Sequence, residues 1–76
     1  MPTVELPDGT YTAVIDSIED DYATVFFERD GDEVGNAIIA AGQFPEDAQH
    51  VDAVLTVVLS EGEIEEATYE SEKTTE

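Results

Sequence analysis

The chain has 76 residues, of which 20 are Asp or Glu against one Arg (Arg29) and one Lys (Lys73), for a formal net charge of −18. That length holds one domain, and since a domain of about 60 residues buries only about 60% of its unfolded surface, its core must be economical. The absence of cysteine excludes disulfides and thiolate metal sites, and no window approaches the ~20 apolar residues of a membrane-spanning helix.

Residues 1–9 read as a lead-in ending in a turn, Pro7-Asp8-Gly9, where Pro fixes φ and Gly supplies φ > 0. Residues 10–19, TYTAVIDSIE, and 22–29, YATVFFER, read as the first two strands, joined by a short hairpin at Glu19-Asp20-Asp21. In the second, Ala23, Val25 and Phe27 alternate with Tyr22, Thr24, Phe26 and Glu28, so the first set should face the core and the second should face out. Asp30-Gly31-Asp32 is a strong hairpin signal and leads into a third strand over 34–41, weakened by Gly35.

Residues 42–51, GQFPEDAQHV, break the pattern. Pro45 excludes a central strand there, and the stretch is too short for a full helix. One short helical turn is expected, with Phe44 plugging an end of the core. Residues 53–60, AVLTVVLS, form the clearest strand, with Leu55, Val57 and Leu59 inward and Val54 and Val58 on the other face. Glu61-Gly62 turns the chain, and 63–70 return as a fifth strand carrying Ile64, Ala67 and Tyr69. Residues 71–76, SEKTTE, read as a disordered acidic tail.

Five short strands with tight turns predict an all-β domain over residues 10–70. Its expected form is a five-stranded antiparallel small barrel, OB-like or SH3-like, with one short helical turn between the third and fourth strands. Closing the sheet would remove its edges. The position of the helical turn leans toward the OB-like alternative.

The charge has two readings. The acids fall in every turn and on every predicted outer face instead of clustering, and lysine is nearly absent. That spread favours adaptation to high salt, where at ~1 M the Debye length falls to about 3 Å and carboxylates stop repelling one another. The competing reading is an acidic surface made for a basic partner. No basic segment precedes an apolar one, so the expected location is cytoplasmic. Separately, the expected state is a monomer.

Candidate chemistry is sparse. Asp16, Glu19, Asp20 and Asp21 lack the Gly-containing turn of a calcium loop and read as a hairpin with solvated acids. The stretch DGDEVGN lacks both the spacing and the distal bidentate Glu. His50, two residues before Asp52, is the only histidine; zinc needs three or four protein ligands, and an exposed loop histidine is the simpler expectation. Ser17 and Ser60 carry no nucleophile-elbow motif. No catalytic residue, metal ligand or cofactor is assigned, and the chain reads as non-enzymatic. Tyr11, Tyr22 and Phe26 are the aromatics that could stack on bases, but one Arg and one Lys make no basic groove, which argues against nucleic acid. The outward Phe26, with Thr24, Val58 and Ile38, is the candidate surface for a protein partner.

The run YTAVIDSIEDDYATVFFE, a hairpin, and then FPEDAQHVDAVLTVV together resemble the domain-of-unknown-function family 3006. The shared features are Val14-Ile15-Asp16, Ile18-Glu19, Asp21-Tyr22-Ala23, Val25, Pro45-Glu46 and Val54-Leu55 with Val57, covering roughly residues 10–68. The acidic composition is similar to that of a haloarchaeal branch. Ser17 stands where the family usually has Arg, and Asp20 and Asp52 stand where Gly is common. The resemblance implies a small β domain and no established activity. Some bacterial relatives lie beside, or are fused with, hydrolases of the metallo-β-lactamase fold, which implies an accessory role. The expected function is therefore a non-enzymatic protein-interaction or accessory module, with a regulatory subunit of a metallo-hydrolase as the alternative and a nucleic-acid-binding barrel behind both.

Overall fold

In a computed structural model, which describes residues 4–71, five antiparallel strands form one sheet. They are β1 (Gly9–Glu19), β2 (Tyr22–Arg29), β3 (Asp32–Ala40), β4 (Val54–Ser60) and β5 (Glu63–Tyr69), in the order β3-β2-β1-β4-β5. The predicted tail lies outside the described residues except for Ser71.

Local chemistry explains the three hairpins. Each turns on two residues, Asp20-Asp21, Asp30-Gly31 and Glu61-Gly62, and all six have positive φ, between 53° and 85°. Such turns match the twist of the flanking strands. Gly takes this backbone without cost, Asp with modest strain and Glu61 with more.

The long β1 is the centre of the sheet, paired with β2 on one side and β4 on the other. Tyr11, Ala13 and Ile15 point inward by alternation. The register then shifts between Ile15 and Ser17, leaving Asp16 as the extra residue of a bulge. The bulge resets the alternation, so Ile18, three residues after Ile15, also packs against the core. On β2 the inward residues are Ala23, Val25 and Phe27, and on β4 Leu55, Val57 and Leu59, as the alternation predicts. Ile64, Ala67 and Tyr69 of β5 pack against them.

No second sheet or long helix covers this inner face among the described residues, yet Ala13, Ile15, Val25, Phe27, Leu55 and Val57 are fully buried. The sheet must therefore roll over its own inner face. Its edge strands β3 and β5 do not pair with each other, so it remains open. The lead-in crosses between the two sides: the Val4 N–H donates to the Gly62 carbonyl at 2.9 Å, while Leu6 packs 3.1 Å from where a Cβ on Gly35 would stand. Asp8 holds the same corner, its Oδ1 accepting from the Glu61 N–H at 2.8 Å.

The other end of the core is closed by the connection from β3 to β4. The single expected helical turn is in fact two 3₁₀ turns, Ala41–Gln43 and Glu46–Ala48, separated at Phe44-Pro45 because Pro45 has no N–H to continue the first. Phe44 and Ala48 are buried against the core. The segment returns to β1 through two bonds, from the Asp52 N–H to the Ile15 carbonyl and from the Ile15 N–H to the Ala53 carbonyl.

Candidate functional site

The outer face of the sheet is built from the residues that alternate with the core. Register places them in cross-strand rows. Tyr22 stands between Glu19 and Ala40; Thr24 stands between Ser17 and Ile38; Phe26 stands between Val14 and Asn36, with Val54 beyond Val14. The next row is Glu28, Thr12 and Thr56. Three of the four residues singled out from the sequence, Thr24, Phe26 and Ile38, thus come together on β2 and β3. Val58 does not join them. It pairs with Thr10 and Glu66, beyond the Glu28-Thr12-Thr56 row, and lies four residues from Val54, about 13 Å along β4.

Tyr22 belongs to this surface. It is 51% exposed, diagonal to Ile38, which is 58% exposed, while Thr24 and Phe26 are half-buried. The alternation along β2 already places Tyr22 outward; what it does not show is that Ile38 is its neighbour. The patch is uncharged and bounded by acids, with Glu19, Asp20 and Asp21 at one end and Glu28, Asp32 and Glu33 at the other.

The remaining candidates are placed elsewhere. Asp16, Glu19, Asp20 and Asp21 are exposed around the bulge and the first hairpin. Among the described residues no group of three or more His, Asp or Glu side chains gathers as a metal ion would require. His50 departs from the exposed loop histidine expected. It is half-buried, its Nδ1 lies 3.0 Å from the Val51 carbonyl, and its Nε2 lies 3.0 Å from the Tyr69 hydroxyl. A carbonyl only accepts, so Nδ1 donates to Val51, and in the neutral ring Nε2 accepts from the Tyr69 hydroxyl. Nε2 thus joins the β3–β4 connection to β5, while Nδ1 is engaged within the connection itself.

Tyr11 offers no stacking face. It is buried, edge-on to Phe27 with ring centroids 6.3 Å apart, and its hydroxyl donates to the Pro7 carbonyl at 2.7 Å. The Arg29 guanidinium lies over its ring, 5.3 Å from the centroid. Arg29 is the only Arg or Lys among the described residues, Lys73 lying outside them. No helix of the described residues is long and apolar enough to cross a membrane.

Comparison with protein-family models, with curated proteins and with solved structures finds no match to this chain.

Proposed function

We propose that the chain is a non-enzymatic protein-interaction or accessory module that binds a protein partner through the outer face of β2 and β3. One observation carries this reading. In a chain with 20 carboxylates, Tyr22 and Ile38 expose half or more of their surfaces side by side on an uncharged stretch of sheet. Isolated exposed apolar residues are ordinary, but a contiguous aromatic and aliphatic patch with an acidic rim has the anatomy of an interface. The position of Arg29, held over a buried ring, favours a protein over a nucleic acid.

The same reading takes the domain as an OB-like, partly open barrel, a monomer of the cytoplasm of a high-salt cell. The rolled inner face and the position of the 3₁₀ turns between β3 and β4 support the OB-like form. Membership of family 3006 is part of it as well. Its support is backbone geometry: Asp20 and Asp52, which stand where that family commonly has Gly, have φ of 53° and 71°, a region that favours Gly.

The test is affinity capture in molar KCl with the native chain and with Phe26→Ser, whose folding is checked by amide NMR dispersion. The expected result is one protein partner recovered by the native chain and lost with a folded Phe26→Ser. Recovery of RNA in place of protein, capture that ignores the substitution, or unfolding of the variant would each overturn the assignment.

A further inference from the structure

The two edges of the sheet are defended unequally. β5 carries Glu63, Glu65 and Glu66 in its first four residues, with Glu65 as the extra residue of a bulge, and only Ala67, Thr68 and Tyr69 follow. Charges and bulges on an edge prevent another strand from adding to it. On β3 the same devices are confined to the first three residues: Asp32, Glu33 and the bulged, half-exposed Val34. From Gly35 to the end of the strand there is no charge, no proline and no further bulge.

The phase of the β2–β3 ladder shows what this edge presents. The Ala41 N–H donates to the Asp21 carbonyl at 2.9 Å. In an antiparallel pair bonded and non-bonded positions alternate, so Ile39, Ala37 and Gly35 bond to β2. The N–H and C=O groups of Asn36 and Ile38 then point away from the sheet, and no other strand among the described residues pairs with them. These are the residues whose side chains lie on the outer face beside Tyr22, Thr24 and Phe26. Backbone groups and an apolar side-chain surface are thus offered at one place, as β-strand addition requires.

Charge identifies the occupant. Asp32 and Glu33 bracket the free edge at one end, and Asp20 and Asp21, the latter bonded to Ala41, bracket it at the other. Eight residue steps separate Glu33 from Ala41, about 26 Å of strand. We propose that β3 accepts, as a sixth strand, an extended peptide with an apolar β-branched centre and basic residues at both ends, six to eight positions apart. A second copy of this chain fits poorly, because antiparallel pairing about Ile38 would bring Asp32 and Glu33 of each copy to the same end of the seam as Asp20 and Asp21 of the other. The brackets therefore select against self-association while selecting for a basic partner. This inference rests on the outer β2–β3 face being the binding surface and adds the edge and the chemistry of the ligand.

The experiment is a titration of the ¹⁵N-labelled chain, at the lowest KCl concentration that keeps its amide spectrum dispersed. The probe is a synthetic peptide, Lys-Lys-Thr-Val-Thr-Val-Thr-Val-Lys-Lys, compared with a version flanked by Glu and one methylated at alternate backbone nitrogens. The expected result is saturable shifts at Asn36, Ile38 and Ala40 and at Tyr22 and Thr24, with both comparison peptides weaker by about tenfold or more. Ile38→Pro, which removes an N–H the ladder does not use, should also abolish binding while the other amides stay dispersed. Absence of saturable binding, shifts centred on β5, or equal binding of the methylated peptide would overturn the edge inference. Self-association through β3, seen as slowed diffusion without peptide, would also overturn it. The wider interaction reading fails separately, by the Phe26→Ser capture experiment.

Discussion

His50 and Tyr69 meet edge to face, their ring centroids 5.7 Å apart at 86°, with the Tyr69 hydroxyl 3.0 Å from Nε2. This contact fastens the β3–β4 connection, which closes one end of the core, to the last residue of β5. Tyr69→Phe keeps the ring contact and loses the hydrogen bond, so it should cost about 1 kcal/mol. His50→Ala loses both and should cost about 1 kcal/mol more. Urea unfolding measures both, and equal effects would show that the ring contact contributes nothing beyond the hydrogen bond.

Backbone strain at two aspartates can be relieved. Asp20 and Asp52 have φ of 53° and 71°, and Gly holds such a backbone without the Cβ clash. Asp20→Gly and Asp52→Gly should each stabilise the domain by roughly 0.5–1 kcal/mol. Each also removes one negative charge, so Asp47→Asn, exposed and not at positive φ, is the control. A thermal midpoint gain no larger than that of the control would refute the strain account. Gly31→Ala, at φ 85°, should destabilise.

The two faces of β4 should respond differently to truncation. Leu55 is fully buried opposite Ala13 and Tyr69, and Leu55→Ala should cost about 2–5 kcal/mol. Val58 is half-buried on the outer face, and Val58→Ala should cost about 1 kcal/mol. Similar shifts in the urea midpoint would mean that the outer face is covered as fully as the inner one.

Salt should act on the whole molecule. At a net charge of −18 carboxylate repulsion opposes compaction, and raising KCl from about 0.1 M to 1 M shortens the Debye length from about 10 Å to 3 Å. The unfolding midpoint should rise steadily over that range, and amide dispersion should improve with it. A spectrum already fully dispersed, with a midpoint insensitive to KCl, would show that the core outweighs the repulsion unaided.

Much of the candidate surface is legible in the amino-acid sequence. Period-2 alternation places Thr24 and Phe26 outward, and Ile38 stands apart from the core pattern, because each depends only on its neighbours along the strand. Val58 shows the limit: alternation assigns a face but not a row, and the row depends on how β4 pairs with β1.

The same division holds for the fold. The three hairpins follow from turn chemistry at Asp20-Asp21, Asp30-Gly31 and Glu61-Gly62, and the inward sets of β2 and β4 follow from alternation. These signals are complete within a few residues, so the chain's local order suffices to specify them. Four features have no such local signal: β1 lies at the centre, Asp16 bulges so that Ile15 and Ile18 both face inward, Arg29 covers Tyr11, and His50 reaches Tyr69. Each depends on strands and segments distant in sequence, and the free energy that selects such a pairing comes from burying the shared inner face, which exists only once the strands have come together.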